Sequence, residues 1–550
     1  MAMRWPWFTS ENAKQLITAF KEALTKAAKD HEVFVEGGIL LLILGLSAYL
    51  RLENLVENPG WYSDEGTLLN IAHYLLQGDV RYLVINQSTL LVARLPLFPL
   101  ILAGVSRYFG EGMQVLRTLT ALLGLLSVGM CYLVVRRALE REGRWLALLS
   151  ALMMAIYPQA VLYSRLGFSY NLLTPLVLLA LLGCWEYLNR GRRAGLALAA
   201  LALGVGSLSD LMILSLVVPV GVVVSSRRWR DMFWVLPLMA LPFGLYAAGM
   251  LIFVPQAFLF DLRFTLSRLG MPWLVQLPLV TLNFGALMIW DAWFAPAVIG
   301  LFMLRRQRWQ RLCLLFFMLP LIFLGRTAGL VGLGFYYISP LFPLIAIGMA
   351  SLIRFGAPHV FKLILTTIED LVNRWRVPGE SRFGRWMKAR GVALVVGIGS
   401  FLVLVAPFLV STFLTFFQVR NGFRTPIDWV LVEPKAASHV ARVVNQISDP
   451  DDLVIASPAL AWSFETQTAD FQLALAAQGV KTEHFPANIP RNRFVVDPRL
   501  EQARYVVIDR IWRNWAAPAM PGVARMITQV EGWPLVMKDG ELEVYRNPAR

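Results

Sequence analysis

Long apolar runs alternate with short polar connections along most of the chain. Runs that approach the length needed to cross a roughly 30 Å hydrocarbon core lie near 38–53, 115–135, 146–163, 172–188, 194–208, 211–225, 232–254, 280–304, 312–325, 336–353 and 392–416. The stretch 194–225 reads as a hairpin. Arg136, Arg137, Arg141 and Arg144 follow the second of these runs, Arg190, Arg192 and Arg193 the fourth, and Arg227, Arg228 and Arg230 the sixth. Arg305, Arg306, Arg308 and Arg311 follow the eighth, and the connection 354–391 after the tenth contains Arg354, Lys362, Arg374, Arg376, Arg382, Arg385, Lys388 and Arg390. Cytoplasmic loops collect Lys and Arg, so this alternation predicts a cytoplasmic N-terminus. Counting a further apolar stretch, 95–109, as a crossing would move every later basic cluster to the outside. It is therefore expected to be a helix on the outer face, within a first external loop of about residues 54–114.

The pattern changes at both ends. Over 10–30, Leu16, Ile17, Phe20 and Leu24 share a helical face among Lys14, Lys21, Lys26 and Lys29. That predicts an interfacial amphipathic helix within a cytoplasmic segment 1–36, and no cleavable leader. Residues 37–416 form the membrane domain. From 417 to 550 the apolar content falls and short β-like runs appear at Leu453–Ala456 and Tyr505–Ile508, with 464–479 and 499–503 helical or polar. Trp533–Lys538 and Glu541–Tyr545 flank Asp539-Gly540, a hairpin signal. Ser457-Pro458-Ala459 stands where a phosphate-binding glycine loop would follow the first strand, which disfavours nucleotide binding. The expected fold class is thus an α-helical polytopic membrane protein of about eleven spans with a soluble extracytoplasmic α/β domain at its C-terminus.

Composition agrees. Hydrophobic residues make up 57% and charged ones 16% of 550, whereas a soluble domain carries about a quarter charged residues. In a soluble protein the net charge of +15 would point to nucleic acid. Here its concentration in alternate loops points to membrane topology instead. Cys131, Cys184 and Cys313 all fall in apolar runs, so no disulfide framework is expected.

Candidate chemistry starts in the first external loop, at Trp61-Tyr62-Ser63-Asp64-Glu65-Gly66. After it come His73, Tyr74 and Asp79, then Arg94-Leu95-Pro96-Leu97-Phe98-Pro99, Val115-Leu116-Arg117, Tyr157-Pro158, Tyr163-Ser164-Arg165, Tyr170-Asn171-Leu172-Leu173-Thr174-Pro175 and Phe335-Tyr336-Tyr337-Ile338-Ser339-Pro340. In this order and spacing, over about residues 38–355, the chain resembles membrane glycosyltransferases with the fold called GT-C. The likeness is to the protein O-mannosyltransferases, the transferase that adds aminoarabinose to lipid A, and their bacterial relatives. The resemblance implies an acidic active-site residue in the first external loop, here Asp64 with Glu65 beside it. It also implies a polyprenyl-phosphate-linked sugar as donor and a reaction outside the cytoplasm. Two positions depart from the pattern: Arg94-Leu95-Pro96 replaces a His-Pro-Pro or Glu-Lys-Pro segment, and Asn171 and Thr174 stand where some relatives place an Asp.

The chemistry leads to the same residues. Inverting glycosyl transfer needs a base for the acceptor hydroxyl and positive charge for the departing phosphate. Asp64 is the candidate base. Arg94, Arg165, Arg268 and Arg326, at expected outer ends, are the candidate phosphate ligands. His73, Tyr170, Asn171 and Tyr337 are candidates for the acceptor or the cavity wall, with His73 more simply read as a packing residue. Asp210 reads as a hairpin tip, and Asp291, inside the eighth span, as a buried partnered charge or a cavity residue. No His, Cys and carboxylate cluster has metal-ligand spacing, and only Asp64 with Glu65 leaves a divalent cation open. The expected partners are the lipid-linked sugar, the bilayer and an acceptor that is protein, lipid or glycan; nucleic acid is not among them. The rival readings are a transporter or flippase of lipid-linked intermediates and an inactive scaffold. The expected place is the cytoplasmic membrane, with many crossings. A cysteine introduced at Ala519 should then react with an impermeant thiol reagent applied from outside, and one at Gly379 should not; the opposite labelling would invert the topology.

Overall fold

The computed structural model describes residues 33–88, 95–267, 273–324, 333–374, 382–425 and 427–550. The amphipathic helix expected over 10–30 lies outside the described residues. A helical bundle forms most of the chain: α1 (Val33–Leu52), α2 (Ser63–Leu76), α3 (Leu97–Phe109), α4 (Met113–Leu139), α5 (Arg144–Ile156), α6 (Pro158–Arg165), α7 (Tyr170–Arg190), α8 (Arg193–Gly206), α9 (Val217–Arg228), α10 (Met232–Phe253), α11 (Pro255–Ser267), α12 (Trp273–Trp290), α13 (Phe294–Phe302), α14 (Gln307–Leu324), α15 (Phe342–Ser351), α16 (Ala357–Arg374) and α17 (Arg382–Asn421).

Among the described residues six helices are long and apolar enough to cross a bilayer, and nine if each of three bent pairs is one crossing. The difference from the eleven expected spans lies in 193–253. There α8, with 14 residues, rises only about 21 Å, and Leu211–Phe253 counts as one helical stretch of 43 residues. Helix α3 has 13 residues, too short to cross, and buries Phe98, Leu102 and Ala103. The sequence anticipated no helix over Pro255–Ser267. The connection after the tenth run was expected to be a loop, yet α16 fills much of it and packs along α17.

Two of the three breaks have a clear chemical cause. Pro158 has no N–H to give the carbonyl of Met154, and α5 and α6 meet at 55°. Arg51, at the end of α1, fills the gap by donating to the carbonyls of Met154 (3.0 Å) and Ala155 (2.9 Å). The break between α12 and α13, a bend of 101° over Val280–Ile289 and Phe294–Phe302, is capped by Asp291. Its carboxylate accepts the Trp293 N–H (3.0 Å) and the Tyr157 hydroxyl. Asp291 is thus a buried, partnered cap at the joint of two half-helices. Asp210 likewise caps the turn after α8 through the Met212 N–H.

Ion pairs collect at one end of the bundle. Glu36 binds Arg136 and Arg144, Glu186 binds Arg137, Arg190 and Arg192, and Asp231 binds Arg193. The start of α1, the ends of α4 and α7 and the starts of α5 and α8 are thereby gathered together, as alternating crossings require.

After α17, helix α18 (Pro434–Ile447) leads into a sheet. A two-stranded hairpin in the first loop, β1 (Arg81–Tyr82) and β2 (Ile85–Asn86), precedes it in the chain. The sheet itself holds β3 (Leu453–Ala456), β4 (Gln467–Asp470), β5 (Tyr505–Ile508), β6 (Leu535–Asp539) and β7 (Leu542–Arg546), in the order β4-β3-β5-β7-β6. The first two pairings are parallel and the two to β7 antiparallel. The expected strands and the hairpin at Gly540 are present. Strand β4 stands where 464–479 was expected to be helical or polar: Thr468, Ala469 and Asp470 are buried beside β3, and the helix begins only at Phe471.

Two carboxyls sit at the carboxyl ends of these strands. Burial pushes Asp470 up to about 6, against its bonds from Leu473 and Tyr82. Burial does the same to Asp509, against bonds from Ser457, Trp512 and Ile511. The folded domain keeps protons that the unfolded chain releases between about pH 4 and 6. These groups therefore remove stability as pH rises through that window, on the order of 2–3 kcal/mol each. Thermal melts of Asp470→Asn should fall less between pH 4.5 and 6.5 than those of the unaltered protein; parallel profiles would exclude this contribution.

Candidate active site

The chain leaving α1 must turn sharply and carry its polar backbone into a buried region. Two arginines make that feasible. Arg165, fully buried at the end of α6, donates to the carbonyls of Leu50 (3.0 Å), Glu53 (2.7 Å), Asn54 (3.1 Å) and Asn58 (2.8 Å). It caps the end of α1, where carbonyls lack helical partners. Arg117, on the first turns of α4, makes six hydrogen bonds, four of them to the carbonyls of Leu55, Val56, Pro59 and Gly60. The other two form a bidentate pair with Glu65, at 2.8 and 2.7 Å, with neither side chain exposed.

Glu65 also accepts the N–H groups of Tyr62 (2.9 Å) and Gly167 (2.7 Å). Its oxygens thus accept four hydrogen bonds, the number a carboxylate can comfortably take. That arrangement leaves Glu65 no room for proton transfer or for a divalent cation. It holds the first turn of α2 against α4 and against the loop between α6 and α7. Asp64, one residue earlier, is half-buried. It lies close enough to Tyr336 for their charges to interact.

Aromatic rings form the wall around it. Tyr62 meets Phe168 edge-on at 5.4 Å, Phe168 lies 5.0 Å from Tyr336, and Tyr170 stacks on Tyr336 at 5.3 Å. Tyr337 completes the group, 5.6 Å from Tyr170. The structure therefore brings Asp64, Tyr170 and Tyr337 to one place, from α2, α7 and the 3-10 turn Leu333–Leu341.

Other residues singled out from the sequence fall elsewhere. Arg165 was expected to bind phosphate; its N–H groups instead serve the end of α1, because a buried helix terminus needs donors more than a surface site does. Asn171 was expected in the cavity; its amide donates to the carbonyls of Tyr163, Leu166 and Phe168 and so shapes the α6–α7 loop. His73 lies nine residues beyond Asp64 on α2, about 13 Å away, half-exposed and paired with Glu111 and Gln77. Arg94, Arg268 and Arg326 lie outside the described residues. Among those described, no three His, Cys, Asp or Glu side chains converge to hold a metal ion. Sequence reasoning missed the part played by Arg117. The signal was present: a charge at the mouth of an apolar helix needs a partner.

The soluble sheet forms the other side of the site. Trp61 and Val432 exchange backbone hydrogen bonds of 2.8 and 2.9 Å, and Trp61 lies 5.4 Å from Trp462. Helix α2 presses on the turn after β3 so closely that a Cβ on Gly66 would stand 1.9 Å from the Pro458 carbonyl oxygen. Only glycine allows that approach. Farther along, Tyr82 donates to Asp470, and Arg493 pairs with buried Asp261 of α11 at 2.6 Å.

This architecture is that of the GT-C membrane glycosyltransferases. Residues 93–259 match the family described as dolichyl-phosphate-mannose-protein mannosyltransferase. The fold matches the crystal structure of ArnT from Cupriavidus metallidurans bound to undecaprenyl phosphate, with a TM-score of 0.60 and 16% identity over 93% of this chain and 98% of that one. It also matches the same protein's apo state, with a TM-score of 0.55 and 17% identity over 95% and 99%. No curated protein matches by sequence.

Removing one partner of a buried ion pair leaves the other charge stranded, at a cost of about 3–5 kcal/mol. Arg117→Met should therefore lower the thermal unfolding temperature sharply in detergent, and Glu65→Gln should lower it less because the amide oxygen still accepts. An Arg117→Met protein as stable as the unaltered one would show that the pair does not hold the loop.

Proposed function

We propose that the protein is an inverting glycosyltransferase that moves a sugar from a polyprenyl-phosphate donor to an acceptor hydroxyl outside the cytoplasm. The observation that carries this reading is the division of labour between adjacent carboxylates. Glu65 is fully bonded within the scaffold, while Asp64 remains half-buried in an aromatic-walled site on a GT-C fold. The undecaprenyl phosphate bound by ArnT of the same fold supports a lipid phosphate donor here.

In the proposed reaction the acceptor oxygen attacks the anomeric carbon as the bond from that carbon to the phosphate oxygen breaks. The acceptor proton passes to Asp64, and the polyprenyl phosphate leaves with the bonding electrons. Attack opposite the leaving group inverts the anomeric centre. Tyr170 and Tyr337 offer faces for the sugar or hydroxyls that orient it. With Arg165 committed to the backbone, the cations for the phosphate are proposed among Arg94, Arg268 and Arg326. The acceptor is proposed to be a protein, lipid or glycan on the outer face of the cytoplasmic membrane.

Asp64→Asn preserves shape and removes the proton acceptor. General-base catalysis contributes about 10²–10⁴-fold, so turnover of a lipid-linked sugar donor should fall at least about 100-fold while melting temperature and donor binding persist. Transfer at the unaltered rate would refute the role of Asp64.

A further inference from the structure

The end of the bundle away from Asp64 holds a cavity of about 650 Å³ between the last turn of α7, α9 and the first turns of α14. Its wall includes Leu188, which lies 18 residues along α7 from Tyr170, about 27 Å by helical rise. Three guanidinium groups line it, those of Arg227, Arg308 and Arg311, and no carboxylate does. The remaining wall is mostly apolar, with Val222, Leu312 and Leu315 prominent.

Two features set these charges apart. Six other arginines of this end, Arg136, Arg137, Arg144, Arg190, Arg192 and Arg193, form ion pairs with Glu36, Glu186 or Asp231. Arg308 and Arg311 have no ion-pair, hydrogen-bond or ring partner among the described residues. They also stand three apart on the first turn of α14, at the positive end of its dipole, where further positive charge is unfavourable. Arg227 is held in place by donating to the carbonyls of Tyr187 and Leu188, and it adds a third cation. The arrangement is short of one anion.

The apolar wall identifies the source of that anion. Val218 and Val222 on α9 are 58% and 46% exposed, so the cavity continues on to an apolar outer surface of the bundle, which hydrocarbon would cover. We infer that the cavity binds one anionic phospholipid of the bilayer. Its phosphate lies between Arg308 and Arg311, with an acyl chain along Val222, Leu312 and Leu315. This site is separate from that proposed for the donor lipid.

The test uses the full chain in bilayer discs of equal parts phosphatidylglycerol and phosphatidylcholine, released into native mass spectrometry. One phosphatidylglycerol should remain bound to the unaltered protein in preference to phosphatidylcholine. The double variant Arg308→Gln/Arg311→Gln should lose that preference by about tenfold or more, as expected for two cations facing one anionic headgroup. Its melting temperature in phosphatidylcholine alone reports whether it folds, and Arg311→Gln alone serves if the double variant does not. Equal retention of both lipids by the unaltered protein, or undiminished phosphatidylglycerol on a folded variant, would overturn the inference. So would displacement of the lipid by millimolar inorganic phosphate, which would mark a site for a small anion.

Discussion

The guanidinium of Arg117 is the point on which the candidate site depends. A chain leaving a membrane helix and turning back beneath a soluble domain exposes carbonyls that water cannot reach. Each such group left unpaired is costly. Arg117 satisfies four of them and then takes Glu65 as its counter-ion. One side chain thereby fixes the exit of α1, the start of α2 and the entry to α4. The position of Asp64, one residue before Glu65 on the first turn of α2, follows from that geometry.

The same solution recurs through the bundle. At several interruptions and ends of helices inside the apolar region, a charged side chain supplies missing bonds. Arg51 does this behind Pro158, Arg165 at the end of α1, and Asp291 at the joint of α12 and α13. Irregular backbone is tolerated at membrane depth only where protein groups satisfy it. The breaks converge: Tyr157, at the first, donates to Asp291, at the second, and its ring lies 5.2 Å from Trp293. Joints bonded in this way can hold an aromatic site in register.

The soluble sheet is joined to the membrane domain by close backbone contact. Gly66 against Pro458, the isolated β-bridge of Trp61 with Val432, and the buried ion pair of Arg493 with Asp261 tie it to α2 and α11. In open α/β sheets ligands bind beyond the carboxyl ends of the strands. Here that edge is occupied by the first external loop, with Asp470 bonded to Tyr82. The sheet thus forms a wall of the candidate site and serves as a support for α2.

Much of this protein follows from its sequence alone. Apolar run length and the placement of arginines determine a polytopic helical chain. Charge alternation separates the short helix Leu97–Phe109 from the spans, and local β patterns determine β3, β5 and the hairpin at Gly540. These are properties of neighbouring residues and of the solvent each segment demands. The roles of charged residues were decided only by tertiary structure. Asp64 and Glu65 are adjacent and chemically alike, yet Glu65 is enclosed by Arg117 while Asp64 is half-buried near Tyr336. Arg165 resembled a phosphate ligand until the carbonyls of a helix 112 residues away in sequence claimed it. Whether a carboxylate or guanidinium is free to act depends on which distant backbone groups need it, and that is settled when the chain packs.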